Sequence, residues 1–108
     1  MSGLKKLGAH VLVCVNKTCR KQGARRAAKG LKRALKAHDL RRIVMVTEVD
    51  CLDQCGRGPL VVVYPDGVWY GKVDEERASE IVEQHIKEGR VVEQNVLHDM
   101  RGKEAETR

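Results

Sequence analysis

The stretch Cys51-Leu-Asp-Gln-Cys55-Gly-Arg-Gly-Pro59-Leu-Val-Val-Val-Tyr64-Pro-Asp-Gly67-Val-Trp-Tyr-Gly71 contains a cysteine loop and a hairpin in twenty-one residues. Leu60 to Tyr64 is β-branched and apolar, long enough for a buried strand and too short for a helix. Pro65-Asp66-Gly67 is a tight turn, with Pro setting φ and Gly supplying a positive φ. Val68 to Gly71 then returns as a second strand, so the two pair as a hairpin. Upstream, Cys51 and Cys55 are spaced C-x3-C in a loop from Asp50 to Pro59. Gly56 and Gly58 let backbone N–H groups come close to those sulfurs.

Outward from that segment the pattern alternates. On the C-terminal side, Asp74 is placed to cap a helix, with Glu75 and Glu76 at its positive end. Ala78, Ile81, Val82, His85 and Ile86 form that helix's apolar face, and Gly89 is its stop. Val91-Val92 is read as a short extended piece, and the chain from Asn95 onward as polar and frayed. On the N-terminal side, Arg42 to Val49 is a strand. Before it, Ala24, Ala27, Ala28, Leu31, Ala34 and Leu35 form one stripe on a helix from about Gly23 to His38. His10 to Val15 is the first strand, and residues 1–8 a flexible lead. The order β-α-β-β-β-α predicts an α/β fold with a four-stranded mixed sheet and two main helices. Its first two strands are parallel through a helical crossover. The expected division is a lead over 1–8, one domain over 9–94 and a tail over 95–108.

A chain of 108 residues holds one core. No apolar run approaches the ~18 residues of a membrane helix, and no secretory signal is legible, so the cytoplasm is the expected compartment. Structural disulfides are rare there, and four cysteines need another reason. Charge is uneven as well. From Arg20 to Arg42, ten Lys/Arg face one acid, Asp39, a local +9 in a chain of net +6, which leaves −3 for the rest. Such a face attracts phosphates or an acidic protein partner, or serves as a solvated helix surface. The three aromatics Tyr64, Trp69 and Tyr70 all lie outside the basic run, which argues against nucleic-acid binding by base stacking.

Cys14 and Cys19 are spaced C-x4-C. If strands one and two are parallel, the loops bearing both cysteine pairs leave the same edge of the sheet. All four sulfurs can then converge at the carboxyl ends, where open α/β sheets place ligands. Four thiolates suit a [2Fe-2S] cluster, a zinc ion or two disulfides. Neither pair is the tight C-x2-C knuckle usual in structural zinc sites, and the longer spacers favour the wider cluster. The C-x2-C pair of dithiol oxidoreductases and the C-x4-C-x2-C run of plant-type ferredoxins are both absent.

The early strand ending in cysteine, the C-x3-C-G-x-G-P loop and the Val-Val-Val-Tyr-Pro-Asp-Gly-Val-Trp-Tyr-Gly hairpin before a last helix resemble the thioredoxin-like 2Fe-2S ferredoxin family over residues 9–92. The resemblance implies a thioredoxin-like fold without the thioredoxin active site. It assigns Cys14, Cys19, Cys51 and Cys55 as ligands of one 2Fe-2S cluster, in a family whose members are often homodimers. The C-x4-C gap departs from the free-standing members, whose first two cysteines are commonly ten or more residues apart. In that respect the chain is similar to the small ferredoxin-like subunit of respiratory complex I.

The remaining residues read as structure. His85 sits on an apolar stripe as a core or interface histidine, Trp69 and Tyr70 pack the sheet or a dimer interface, and Met45 packs the core. Asp53 and Arg57 face a partner or water. No Gly-rich phosphate loop, Ser-His-Asp set or carboxylate pair marks an enzyme. The function expected is one-electron transfer to redox partner proteins with an acidic docking face, without membrane or nucleic acid. The alternative is a structural four-cysteine zinc module binding a protein or nucleic acid through the basic helix; a role in cluster assembly or sensing also stands.

Overall fold

The computed structural model describes residues 8–16, 21–50 and 57–101. Five strands form one mixed sheet in the order β2-β1-β3-β4-β5. They are β1 (Ala9–Cys14), β2 (Val44–Val49), β3 (Val61–Tyr64), β4 (Val68–Tyr70) and β5 (Val96–Asp99). Helix α1 (Ala24–Ala37) connects β1 to β2, and α2 (Glu75–Glu80) continues as a π-helical segment over Ile81–Lys87.

β1 and β2 are parallel, with Ala9 opposite Val44 and Cys14 opposite Val49. β3 runs antiparallel to β1, and β3 and β4 are the expected hairpin. Gly67 takes φ 71° in the turn, where Met100 leaves no room for a Cβ. β3 is the middle strand. Val61, Val62 and Val63 are all buried, as suits the central strand of the sheet.

Both helices lie on one face. The stripe predicted for α1 is the buried one, and Leu31 and Leu35 are almost wholly enclosed. Each such leucine contributes roughly 1.5–3 kcal/mol. They share one core with Val11, Val13, Val61, Val63 and Tyr70 from the sheet, Ala78 from α2, and Ile81 and Val82 from its π-helical continuation. Gly30 is where the helices touch. A Cβ there would sit 2.9 Å from the Glu75 carbonyl oxygen. The Asp74 cap forms as expected, its Oδ1 accepting from the Arg77 N–H at 2.7 Å.

The sheet has five strands where four were expected. Val91-Val92 is not a strand, and Val92 is instead buried in the core. The extra strand is β5, in the segment read as polar and frayed. It pairs antiparallel with β4 around an irregularity at Trp69/Tyr70. Asp99 is buried at its end, held by Arg101 at 2.8 Å. A four-residue strand ending His-Asp has no apolar alternation of its own, so tertiary pairing decides it. The expected start of β2 also shifts, because Arg41–Ile43 form a turn in which Ile43 and Val44 both donate to the Leu40 carbonyl. Residues 1–7 and 102–108, most of the expected lead and the end of the expected tail, lie outside the described residues.

Candidate metal centre

Parallel pairing of β1 and β2 brings their carboxyl ends together. Cys14 closes β1 in register with Val49, and Val15 donates to the Val49 carbonyl at 2.8 Å. The Cys14 side chain is almost fully buried and packs with Ala24 at the start of α1 and Leu60 before β3. Its Sγ lies 3.9 Å from the Asp50 carbonyl oxygen. Cys14 is thus an enclosed thiol at the pole where two parallel strands end, and its sulfur is a soft donor suited to iron or zinc.

Cys51 follows Val49 by two positions, Cys19 follows Cys14 by five, and Cys55 precedes Arg57 by two. Cys19, Cys51, Cys55 and Asp53 lie outside the described residues. Among the described residues no three His, Cys, Asp or Glu side chains gather to hold a metal. The chain beyond the second cysteine pair is anchored by backbone bonds. Lys72 donates to the Arg57 carbonyl at 2.9 Å, and Val73 donates to that of Pro59 at 3.0 Å. Arg57 and Lys72 line a shallow groove with Asn95 and Leu97. Asn95 Nδ2 donates to the Gly71 carbonyl at 3.0 Å and fixes its wall.

The histidines take the places expected of structural groups. His85 is buried, as its stripe position predicts, and both ring nitrogens are engaged, one by Tyr70 and one by Asp66. Sequence reading missed those partners, which come from β4 and the hairpin turn. His10 pairs with Thr47 across β1 and β2 at 2.7 Å. Tyr70 packs the sheet, and Trp69 lies on the opposite face, its Nε1 enclosed with no acceptor among the described residues. Met45 is exposed on β2, not packed in the core, because β2 is an edge strand.

A family model described as thioredoxin-like [2Fe-2S] ferredoxin matches residues 2–86. The chain belongs to this family. A 2Fe-2S ferredoxin of Aquifex aeolicus (strain VF5) is 38% identical over 97 residues, covering 82% of this chain and 87% of that one. One of Clostridium pasteurianum is 39% identical over 93 residues, covering 77% and 89%. A solved structure of the Aquifex aeolicus thioredoxin-like [2Fe-2S] ferredoxin superposes with a TM-score of 0.82 at 36% identity, over 92% of this chain and 96% of that one. A second, the wild type at 1.5 Å resolution, gives 0.79 at 37% identity, over 84% and 97%. The thioredoxin-like α/β fold read from the hairpin and the crossover is therefore the fold of this ferredoxin family. Its members are electron carriers with a 2Fe-2S cluster. Among the described residues no helix is long and apolar enough to cross a membrane.

Proposed function

We propose that this chain is a one-electron carrier whose [2Fe-2S] cluster is held by Cys14, Cys19, Cys51 and Cys55. The observation that carries the ligand assignment is Cys14, buried at the end of β1 opposite Val49, two positions before Cys51. When bound, such a cluster supplies one reducible site, cycling between ferric–ferric and ferric–ferrous iron. The protein's part is to donate thiolates, to shield them behind Ala24 and Leu60, and to offer a rim for a partner.

Electrons pass at the rim beside the second cysteine loop, where Arg57 and Lys72 flank the partly exposed Leu97. Two cations around an apolar side chain suit a redox partner with an acidic docking face, and that contact weakens as salt rises. The protein acts in the cytoplasm as a homodimer and turns over no substrate of its own.

The decisive experiment is the visible absorption spectrum of anaerobically purified protein with iron, sulfide and zinc assays. A red-brown protein with about two irons and two sulfides per chain, bleached by dithionite, supports this reading. Colourless protein holding about one zinc refutes it and favours the structural module. The double variant Cys51→Ser with Cys55→Ser should purify without that spectrum. Light scattering reads the oligomeric state.

A further inference from the structure

A second positive surface lies away from the Cys14 pole. α1 starts beside Cys14 and runs back along the sheet, so Lys32 and Lys36 lie towards its far end. They rim a trough between α1 and β2, together with Arg33 and Arg41. Leu35, Val44 and Val46 form its floor, and its volume is about 420 Å³. Val44 stands opposite Ala9, the strand end farthest from Cys14. Six-residue strands make that separation roughly 16 Å.

Three properties of this trough combine. Arg33 is paired to Glu75 at 2.7 Å, but Lys32, Lys36 and Arg41 have no ion-pair partner among the described residues. The floor is aliphatic. The wall is an open sheet edge, since β2 ends the strand order. Ala9 and Val15 donate to the Ile43 and Val49 carbonyls, so those peptide groups face β1. By alternation the N–H and C=O groups of Val46 and Glu48 face outward, with no strand beyond them among the described residues.

We propose that this trough grips an extended, acidic segment of a partner protein, which adds to β2 as a further strand. An added strand satisfies the open edge, places alternate apolar side chains on Leu35, Val44 and Val46, and brings its carboxylates to Lys32, Lys36 and Arg41. Glu48, at the other end of the edge, repels an acid there and so sets where the acidic part lies. Nucleic acid fits less well, because the trough offers no aromatic side chain for a base among the described residues. Contact at this pole leaves the Arg57–Lys72 rim free. The trough is therefore a tether that holds the protein on its partner, separate from the surface through which electrons pass. That last role rests on the cluster lying at the Cys14 pole, whereas the binding itself does not.

The test uses the holoprotein and a fluorescein-labelled synthetic peptide of about eight residues, alternating Glu or Asp with Val or Leu. Anisotropy should show binding that weakens with salt. The variant Lys32→Glu/Lys36→Glu/Arg41→Glu, altered only at exposed side chains, should bind about tenfold or more weakly. Its visible spectrum and midpoint potential should match the wild type. In the wild-type complex, amide exchange at Val46 and Glu48 should slow. Undiminished binding by the variant, no protection at those two amides, or stronger binding of a single-stranded oligonucleotide would each overturn the proposal. A colourless protein that still binds the peptide at β2 would sink the electron-carrier reading and leave the trough standing.

Discussion

Tyr70 and His85 are joined by a buried hydrogen bond of 2.8 Å, from the phenolic oxygen to Nδ1, and it ties the hairpin to the last helix. The Asp66 carboxylate can only accept, so His85 Nε2 carries the proton it donates there, also at 2.8 Å. In the neutral ring Nδ1 then accepts from the Tyr70 hydroxyl, whose oxygen in turn receives the Val92 N–H at 3.1 Å. Asp66 lies 3.8 Å from Arg101, which also grips Asp99 at the end of β5. One chain of polar contacts thus links the hairpin turn, β4, the π-helical segment, Val92 and the last strand. π-Helical turns are rare and tend to persist where a specific side chain must be placed; here the placed side chain is His85.

Tyr70→Phe keeps the ring and removes the hydroxyl. The Val92 N–H and His85 Nδ1 would each lose a buried partner, a cost of roughly 1–3 kcal/mol. Urea unfolding should show a lower midpoint with an unchanged slope. Thermal melting should fall by about 4–8 °C per kcal/mol for a domain of this size. The cluster spectrum should not change, because Tyr70 lies in the core between sheet and helices.

The same tyrosine predicts a stability change in alkali. Burial raises its pKa from 10.0 to about 12, partly offset by the Val92 N–H bond. The folded state holds that proton where the unfolded chain has lost it. The contribution is complete below pH 10 and is lost as pH rises from 10 towards 12. Two units correspond to about 2–3 kcal/mol at the upper limit. The difference in unfolding free energy between wild type and Tyr70→Phe should therefore shrink across that window. A constant difference would mean that the hydroxyl is not protected.

Gly30→Ala reverses the usual expectation for a helix interior, where alanine is better by about 1 kcal/mol. The new methyl would meet the Glu75 carbonyl oxygen at 2.9 Å and the Ala78 Cβ at 3.3 Å, forcing α1 and α2 apart. Overpacking of this kind costs about 1–3 kcal/mol. The variant should be destabilised in urea despite its better propensity, and a stabilised protein would show that the interface yields easily.

What the sequence disclosed was whatever rests on local pattern. The Val61–Val63 run, the Pro65-Asp66-Gly67 turn, the α1 stripe and the Asp74 cap each follow from residues within one or two turns of chain, and each is found. The parallel β1–β2 pair was legible because a helix stands between two strands. β5 was not, since its pairing with Trp69 and Tyr70 comes from a strand more than twenty residues away and its last two residues are His98 and Asp99. The partners of His85 were hidden for the same reason: Asp66 and Tyr70 lie 19 and 15 positions earlier. At the candidate centre, the C-x4-C and C-x3-C spacings singled out the four cysteines as candidate ligands. The burial of Cys14 needed the third dimension, because Ala24 and Leu60 cover it from two other segments.

The rim beside the second cysteine loop yields a kinetic prediction. Arg57 and Lys72 are exposed and lie within one groove, joined through the Lys72 N–H and the Arg57 carbonyl. If electrons leave there, the local field should speed an anionic oxidant and hinder a cationic one. Arg57→Glu with Lys72→Glu inverts that field and leaves the backbone bond in place. Stopped-flow oxidation of dithionite-reduced protein by ferric EDTA, an anion, should slow several-fold at low ionic strength. With hexaammineruthenium(III), a cation, it should quicken. The two rates should approach the wild-type values near 1 M salt, where the screening length falls to about 3 Å. Equal rates for variant and wild type at low salt would place the exit elsewhere on the surface. The trough variant Lys32→Glu/Lys36→Glu/Arg41→Glu is the control. Its charges lie at the other pole, so it should shift both oxidants far less than the rim variant does.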